Sequence, residues 1–530
     1  MTLHGTSIVG TETVPAAQKT FTAFNPKLGQ TIQPPFYEAT EAQVDQALEL
    51  AAAAADQMRG LGSEKIASFL LAIAAEIEAV GDALIERASE ESGLDLERLR
   101  GERGRTVNQI RLFASLVEEG SWVDARIDPA IPDRKPLPRV DIRRMLQPIG
   151  PVAVFGASNF PLAFSVAGGD TISAFAAKNP VVVKGHPAHP GTSEMVAMAI
   201  RKAVRSQGLH EGVFSMLQST DPKISIALVT HPNTKAVGFT GSLRAGRALF
   251  DAAAKRPNPI PVYAEMGSVN PMFILPDALK SEGAKIADGL YKSVLLGTGQ
   301  FCTSPGLVFV QNTEGFEQFR SALGELFTNA TPGTMLNAPI AKGYAEKLEA
   351  FQKVSGVQGF TGSKAPSKHC AEGQPAVLVT DFKTWLSNHL LHEENFGPAT
   401  LVVQCASPVE VIEAVRNLDG TLTATIHGTA DELAQHKKLI DLLTRVAGRI
   451  LFNGFPTGVE VGYAMHHGGP YPATTDEKFT SVGTAAIYRF AKPVCYQNFP
   501  DHLLPEELQN ANPRNILRAV NGKPTRDSIQ

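Results

Sequence analysis

The sequence predicts an α/β protein with a doubly wound parallel sheet, followed by a second series of strands and helices. Four short β-rich runs, PVAVFGA, PVVVKGH, GVFSMLQ and TKAVGFTG, alternate with helical stretches between residues 151 and 241. This alternation is typical of βαβ units around a parallel sheet. A second series begins after residue 267 with NPMFILP and AKIADGLYKSVLLG. At 530 residues the chain is also too long for one core, so two or three domains are expected.

The N-terminal segment, residues 1–36, is rich in Thr, Gly and Pro and is predicted to form short strands and turns. It lacks the charged and then apolar pattern of a secretion signal, and no apolar run in the chain reaches about 18 residues. We therefore expect neither secretion nor a membrane span, and the expected location is the cytoplasm.

Helical signals follow this segment. Thr40 and Gln43 form a capping-box pattern ahead of residues spaced for a helix. Two further helical stretches are predicted at 63–92, with a break near Gly81, and at 95–119, where Asp95 suits an N-cap. Between about 123 and 150 the pattern changes to alternating residues with prolines, which predicts a β-ribbon.

Charge and cysteine content narrow the function classes. With 49 basic and 53 acidic residues the net charge is −4, which argues against nucleic acid or an acidic membrane as the main partner. The 4 cysteines are widely spaced, without a C-x-x-C pair or metal-ligand spacing. Free thiols in a reducing compartment, and no metal site, are therefore expected.

Three segments supply the residue types of a covalent mechanism. GQFCTSPG at 299–306 places Cys302 in a loop of small residues, where a thiolate could meet a substrate. PVYAEMGSVNP carries Glu265 ahead of a glycine, and VAVFGASNFP carries Asn159 after an apolar run. Together they offer a nucleophile, a base and an amide donor. The competing interpretation is a buried cysteine, a glutamate in an ion pair and an asparagine that caps a turn.

A ligand site is expected at the carboxyl ends of the parallel strands. Lys184 directly follows three valines, so it should emerge at a strand end. GFTGSLRAG places Gly241 and Ser242 where a strand turns into a helix, although no G-x-G-x-x-G motif follows a strand.

These segments together resemble the aldehyde dehydrogenase superfamily. Six of its motifs occur in the family's order and the similarity extends over nearly all of the chain; they are Asn159-Phe160-Pro161, Lys184, Phe239-Thr240-Gly241-Ser242, Glu265, Cys302 and Glu393-Glu394-Asn395-Phe396-Gly397-Pro398. The resemblance implies a Rossmann-type cofactor domain at 1–128 and 150–266 and an α/β catalytic domain at 267–468. It also implies a β-ribbon oligomerisation element at 129–149 and 469–530, and hence a homodimer or homotetramer.

The resemblance also assigns roles. It implies Cys302 as nucleophile, Glu265 as the base that activates water, and Asn159 as an oxyanion donor. The cofactor set it implies is Lys184 at the adenosine ribose, Gly241 and Ser242 at the phosphates, and Glu394 and Phe396 at the nicotinamide ribose and ring, with His186, Pro187 and Met266 beside them.

Two positions depart from the commonest family pattern. NAD-preferring relatives often carry a carboxylate three residues after the lysine, where this chain has Pro187. A carboxylate would repel a 2′-phosphate, so NADP is expected to be accepted alongside NAD. MHHGGPYPAT at 465–474 places His467 in a Gly-Pro-rich loop near the expected substrate entrance. His467 could tune the Cys302 thiolate or orient a water molecule, and the alternative is a solvated loop histidine.

The function implied is NAD(P)-dependent oxidation of an aldehyde to a carboxylic acid. Two segments, at 156–171 and 181–192, are similar to the branch that acts on 2-oxoglutarate semialdehyde, and a medium- or long-chain aldehyde is the alternative substrate. A cofactor-free hydrolase that uses Cys302 and His467 is disfavoured by the dinucleotide motifs. A CoA-acylating enzyme typically lacks the glutamate found here as Glu265, and a non-catalytic relative would be expected to lose Cys302 or Glu265.

Overall fold

A computed structural model describes residues 2–10, 12–13 and 18–530 of the chain. Three sheets of five or more strands organise these residues, and two further sheets have two strands each, β3-β4 and β14-β16. The N-terminal part contains β1 (Ile8–Val9), β2 (Glu12–Thr13), β3 (Thr20–Asn25), β4 (Gln30–Tyr37), α1 (Glu41–Gly60), α2 (Ser63–Val80), α3 (Asp82–Ser92), α4 (Leu96–Glu119), β5 (Arg126–Asp128) and β6 (Ile142–Pro148). The predicted short strands of the N-terminal segment are therefore present, whereas residues 1, 11 and 14–17 lie outside the described residues.

The next two parts follow in chain order. The first contains β7 (Val152–Phe155), α5 (Gly169–Ala176), β8 (Val181–Lys184), α6 (Pro190–Ser206), β9 (Phe214–Leu217), α7 (Pro222–Thr230), β10 (Ala236–Thr240), α8 (Leu243–Ala254) and β11 (Val262–Glu265). The second contains β12 (Met272–Ile274), α9 (Pro276–Leu295), β13 (Leu307–Gln311), α10 (Phe316–Asn329), β14 (Gly333–Thr334), α11 (Ala338–Gln352), β15 (Gln358–Thr361), β16 (Glu372–Gly373), β17 (Ala376–Asp381), α12 (Phe382–Ser387), β18 (Ala399–Cys405), α13 (Pro408–Arg416), β19 (Thr421–His427), α14 (Ala430–Gln435), α15 (Lys437–Leu443), β20 (Ala447–Phe452), β21 (Ala491–Gln497), β22 (Arg518–Val520) and β23 (Lys523–Thr525).

The first sheet has the strand order β11-β10-β7-β8-β9-β1-β2. Strands β7 to β11 are parallel, and β1 joins the edge antiparallel to β9. The valines at 181–183 are fully buried, as expected for a strand covered by helices on both faces. The predicted doubly wound sheet is thus confirmed. Its register pairs Thr240 with Glu265 and Phe155 with Lys184, so these strand ends lie along one edge.

The second sheet has the order β15-β17-β18-β13-β12-β19-β20 and is parallel except for β15. The Cys302 loop lies between β12 and β13 in the sequence, after helix α9. Phe273 of β12 stacks on Phe309 of β13, with 5.1 Å between the ring centroids. The third sheet, β21-β6-β5-β22-β23, combines the predicted ribbon with the C-terminal segment. Its strand β5 begins at Arg126, ahead of the ribbon boundary expected at 129, and the predicted domain boundaries stay predictions.

The helix signals are confirmed at three positions. Thr40 and Gln43 form the capping box of α1. Gly81, with a φ of 72°, separates α2 from α3. Asp95 caps α4 by accepting a hydrogen bond from Glu97 N at 2.8 Å. Among the described residues, none of the helices combines the length and apolar character that a membrane crossing requires.

Candidate active site

A cavity of about 790 Å³ lies at the carboxyl edge of the first sheet, between the loops after β7, β10 and β11 and helix α11. It brings together nine of the twelve residues singled out from the sequence, and these are Asn159, His186, Gly241, Ser242, Glu265, Met266, Cys302, Glu394 and Phe396. His467 lies behind this wall, in contact with Cys302. Lys184 and Pro187 are close in sequence to His186 but are not among the lining residues described for the cavity.

The Cys302 loop is held in place from both sides. Gly299 has a φ of 67°, and a Cβ there would lie 2.0 Å from the carbonyl oxygen of Gly397, so only glycine allows this contact with the Glu394 loop. On the other side the buried side chain of Asn270 donates from Nδ2 to the carbonyl oxygens of Cys302 at 2.8 Å and Ser304 at 2.9 Å. The nucleophile is therefore fixed relative to both sheets.

Cys302, His467 and Glu265 form a contiguous group. His467 Nε2 lies 3.5 Å from Cys302 Sγ and 3.0 Å from Glu265 Oε1. Because a carboxylate only accepts hydrogen bonds, Nε2 carries the proton in the contact with Glu265. The hydroxyl of Ser481 donates to the other carboxylate oxygen of Glu265. His467 is 1 % exposed, so the alternative of a solvated loop histidine is wrong.

The electrostatics of this group keep the thiol protonated at rest. Burial raises the pKa of Cys302 well above its usual value, and the negative charge of Glu265 raises it further. Burial also acts to raise the pKa of Glu265, but the charge of His467 and hydrogen bonds from His467, Ser481 and Cys302 outweigh it, and the pKa is lowered. In the free protein the expected species are a Cys302 thiol and a Glu265 carboxylate. Attack by Cys302 as a thiolate therefore requires that the thiol lose its proton during the reaction.

Asn159 enters the cavity from the loop after β7. Its side chain is 8 % exposed, and Nδ2 donates one hydrogen bond to the carbonyl oxygen of Gln300 at 3.0 Å. A carboxamide nitrogen has two N–H groups, so the second remains available to an oxygen in the cavity. The loop is held by Arg98, whose Nη2 donates to the Asn159 carbonyl oxygen at 2.9 Å.

The other half of the cavity suits an anionic dinucleotide. Ser242 caps α8, with its hydroxyl accepting from Ala245 N at 3.3 Å, and Arg244 in the first helical turn lines the cavity. A helix N-terminus with free N–H groups favours phosphate. On the opposite wall burial raises the pKa of Glu394 to about 7, so this carboxyl group is only partly ionised at neutral pH, and its oxygens can accept hydrogen bonds from ribose hydroxyls. The donor set therefore fits phosphate at one end and a ribose at the other.

The residues at the end of β8 are partly withdrawn from water. Burial lowers the pKa of Lys184 to about 8, although the charge of Glu38 acts to raise it. Burial also lowers the pKa of His186 well below its usual value, so this ring is neutral at pH 7. A bound 2′-phosphate would favour the charged form of Lys184.

Several residues of the site had no local signal in the sequence. Ser481 lies far along the chain from Glu265, which it contacts, and Asn270 lies 32 residues from Cys302, so only the packing of separate loops brings each pair together. Lys347, on α11, lines the cavity and donates to the backbone oxygen of Glu394 at 3.0 Å. The sequence did contain the VNP turn in which Asn270 adopts a φ of 45°, a conformation that asparagine tolerates.

The donor atoms of Glu265, Cys302 and His467 all lie within 4.8 Å of one another, a set that could also ligate a metal ion. The three residues come from distant segments, so C-x-x-C or similar spacing could not have revealed them. The expectation of no metal site was based on such spacing, and it stays a prediction.

Most of the chain is similar in sequence or in fold to known aldehyde dehydrogenases. The model of the aldehyde dehydrogenase family matches residues 13–471. Alpha-ketoglutaric semialdehyde dehydrogenase 2 of Azospirillum brasilense is 48 % identical over 524 residues, covering 99 % of this chain and 100 % of the relative. Alpha-ketoglutaric semialdehyde dehydrogenase of Acinetobacter baylyi is 47 % identical, covering 93 % of each chain. The NAD⁺ complex of an aldehyde dehydrogenase from Bacillus cereus superposes with a TM-score of 0.79 at 22 % identity, covering 93 % of this chain and 96 % of that one, and shows the fold.

Proposed function

Because the chain belongs to the aldehyde dehydrogenase family, we propose that it oxidises 2-oxoglutarate semialdehyde (2,5-dioxopentanoate) to 2-oxoglutarate with a nicotinamide dinucleotide. Its near full-length similarity to the Azospirillum and Acinetobacter enzymes supports this substrate. The observation that carries the chemistry is the contact of Cys302 with the His467–Glu265 pair at the wall of the cavity.

The first step is attack of Cys302 on the aldehyde carbon. The thiol proton passes to the Glu265–His467 pair, whose atoms lie beside Sγ, as the new carbon–sulfur bond forms. The carbonyl oxygen gains the negative charge and is stabilised by the free N–H of Asn159 Nδ2 and the backbone N–H of Cys302. NAD(P)⁺, when bound, would accept a hydride from the adduct on Cys302, and the loss of this hydride leaves a thioester on the sulfur.

The second step is hydrolysis of that thioester. After the proton taken up in the first step has passed to solvent, Glu265 removes a proton from a water molecule, whose oxygen bonds to the acyl carbon while the carbon–sulfur bond breaks and the leaving sulfur receives that proton. Asn159 again binds the oxyanion. Ser481 and His467 hold the two carboxylate oxygens of Glu265, so the base keeps its position through both steps. The product is a carboxylic acid, and Cys302 is regenerated as a thiol.

The proposal is tested by incubating the protein with 2,5-dioxopentanoate and either NAD⁺ or NADP⁺. We expect one reduced cofactor and one 2-oxoglutarate per aldehyde consumed, and no turnover without cofactor. Hexanal and decanal, assayed in parallel, represent the medium- and long-chain alternative. A higher kcat/KM for either of them than for 2,5-dioxopentanoate would contradict the substrate, and turnover without cofactor would indicate a hydrolase.

Replacing Asn159 by alanine should lower kcat by about 10²–10³-fold, the usual scale for one lost oxyanion donor. The measurement is steady-state kinetics with the aldehyde varied. Gln300 gives a matched control, because Gln300→Ala removes other hydrogen bonds of the same loop but leaves its backbone oxygen, which Asn159 contacts. A change in KM alone for Asn159→Ala would show that this side chain serves ground-state binding.

We infer that NADP is accepted at least as well as NAD, and the arrangement after β8 supports this preference. Lys184 provides a cation, and Pro187 replaces the carboxylate that would repel a 2′-phosphate. The roles of Lys184, His186 and Pro187 at the adenosine ribose, of Gly241 and Ser242 at the phosphates, and of Met266, Glu394 and Phe396 nearer the nicotinamide belong to the same proposal.

Replacing Pro187 by glutamate should shift the preference from NADP toward NAD, because the new carboxylate repels the phosphate and can accept bonds from free ribose hydroxyls. The measurement is the NADP/NAD ratio of kcat/KM, with Pro187→Gln as the uncharged control. If the ratio stays unchanged, the ribose does not lie beside residue 187.

We further propose a homodimer or homotetramer assembled through the third sheet, where β21 is an edge strand that pairs with β6 alone among the described strands. An exposed row of unpaired backbone groups is a template for a second copy. A cytoplasmic location is proposed on the four free cysteines, Cys302, Cys370, Cys405 and Cys495.

A further inference from the structure

Aromatic side chains form a wall of the catalytic centre next to Cys302. Phe160 contacts Phe164 and Phe301, with ring centroids 5.3 Å and 5.2 Å apart. Phe164 and Phe160 both line the cavity, and Phe301 directly precedes the nucleophile. An apolar wall of this kind accommodates the methylene groups of an aldehyde but gives no means of recognising a charged end.

Helix α4 places a cation against this wall. The Arg105 guanidinium lies over the Phe164 ring, 5.1 Å from its centroid. Nη2 of Arg105 is buried, and no atom of the described residues accepts a hydrogen bond from it. The positive charge of Arg105 is close enough to Cys302 and Glu265 to interact with both. A buried guanidinium nitrogen without an acceptor is costly unless a ligand supplies one.

The two neighbouring cations are already committed to the protein. Arg98 lies over Phe160 and Phe301 and donates from Nη2 to the backbone oxygen of Asn159 at 2.9 Å. Arg449 donates from Nη2 to the backbone oxygens of Pro456 at 2.8 Å and Gly458 at 3.0 Å. Nη1 of Arg98 and Nε of Arg449 are also buried without an acceptor, but both arginines donate to backbone oxygens and so hold loops of the site, whereas none of the hydrogen bonds among the described residues involves Arg105.

The carboxylates near Arg105 do not fill that position. Glu102, one turn earlier on α4, accepts through Oε1 from the backbone N–H groups of Leu162 at 2.8 Å and Ala163 at 2.9 Å, and its buried Oε2 has no hydrogen-bond partner, Arg105 included. Glu460 is exposed on the loop after β20, and its charge reaches Arg105 without an ion pair in the described structure. Glu265 is held by His467 and Ser481.

We propose that Arg105 is the specificity-determining residue that binds the carboxylate end of the substrate while the aldehyde end meets Cys302. This inference rests on the proposed function, because 2,5-dioxopentanoate carries a ketone three bonds, and a carboxylate four bonds, from its aldehyde carbon. The planar guanidinium can donate two parallel hydrogen bonds to a carboxylate. The aromatic wall would contact the two methylene groups between the ends. A 2-oxo acid with a terminal aldehyde is thus the substrate class that matches a cation beside an apolar wall.

The test compares two aldehydes of equal length, 2,5-dioxopentanoate and pentanal, in the complete enzyme with cofactor. The readout is the ratio of their kcat/KM values, in which any general effect of Arg105 on Cys302 cancels. Arg105→Met should lower this ratio by about 30-fold or more, since it truncates one partner of a buried charged pair. The loss should fall mainly in KM for 2,5-dioxopentanoate. Inhibition by the product, 2-oxoglutarate, should weaken in parallel.

Two further variants keep the result interpretable. Arg105→Gln retains a polar side chain of similar length and is assessed by the same ratio if Arg105→Met does not fold. Arg111→Met is the matched control, because Arg111 lies on the same helix but is exposed and paired with Glu78. We expect Arg111→Met to retain the wild-type ratio.

The outcomes separate this inference from the proposed function. If the wild-type protein prefers 2,5-dioxopentanoate and the folded Arg105 variants keep that preference, Arg105 does not bind the carboxylate. If both aldehydes lose activity equally, Arg105 acts on the nucleophile or the fold, and the inference is again wrong. If the wild-type protein shows no preference for 2,5-dioxopentanoate over pentanal, it is the proposed function that fails.

Discussion

Replacing Cys302 by alanine should abolish aldehyde oxidation, with a loss of kcat on the order of 10⁴–10⁶-fold. The reason is that no other described side chain at the cavity wall offers a nucleophile beside both His467 and Glu265. Binding of the reduced cofactor, followed by its fluorescence, should remain, since the proposed dinucleotide contacts are made by other residues. The two measurements together separate loss of chemistry from loss of fold.

Cys370 provides the matched control for this substitution. It is also a free, partly exposed cysteine, but its Sγ contacts the backbone oxygen of Lys27 at 2.9 Å and is not part of the cavity wall. Cys370→Ala should change kcat by no more than about twofold, as is usual for substitutions away from a site. Substantial turnover in Cys302→Ala would show that another nucleophile carries the reaction.

Replacing Glu265 by glutamine should separate the two half-reactions. Glutamine keeps an oxygen for the hydrogen bond from His467 but cannot remove a proton from water, so steady-state turnover should fall by about 10²–10⁴-fold. Mixing the variant with cofactor and aldehyde should give a burst of reduced cofactor of nearly one per competent site. The burst is expected to be slower than in the wild type if Glu265 also takes the Cys302 proton. Added thiol should accelerate turnover by attacking the accumulated thioester.

Ser481→Ala is a control that changes the base without removing it. The Ser481 hydrogen bond is one of the interactions that lower the pKa of Glu265, so its loss should raise that pKa. Because the base acts only when deprotonated, the acid limb of the kcat profile should move to higher pH while activity persists above it. An unchanged steady-state rate in Glu265→Gln would exclude Glu265 as the hydrolytic base.

The fold was predictable because its signals are local. Apolar runs such as Val181–Val183 predict buried strands. Thr40 and Asp95 predict the starts of helices because their own side chains cap the first turn. A parallel sheet then brings the ends of its strands to one edge, which places Lys184 and Glu265 on the same side of the molecule without further information. The boundaries between the sheets could not be predicted from local signals in the same way. The ribbon strand β6, for example, pairs with β21, which lies hundreds of residues away.

The site was only partly predictable, because some of its residues lie in segments that carry no local signal. Cys302 and Asn159 lie in recognisable turns, whereas Ser481 and Arg105 belong to an ordinary loop and an ordinary helix whose neighbours are set by tertiary packing. The protonation of Cys302 also depends on packing, because it is burial and the approach of Glu265 that raise the pKa of the thiol. A sequence gives the residue types for a mechanism, but the pKa order of a buried pair follows from its surroundings.

The covalent state of Cys302 during turnover tests the central claim most directly. Glu265→Gln protein is mixed with NADP⁺ and 2,5-dioxopentanoate, quenched in acid within one turnover, digested, and examined by mass spectrometry. We predict that the peptide containing Cys302 carries the acyl group of 2-oxoglutarate as a thioester, in an amount equal to the burst of reduced cofactor. A full burst with an unmodified Cys302 peptide, or with the acyl group on another residue, would contradict the account.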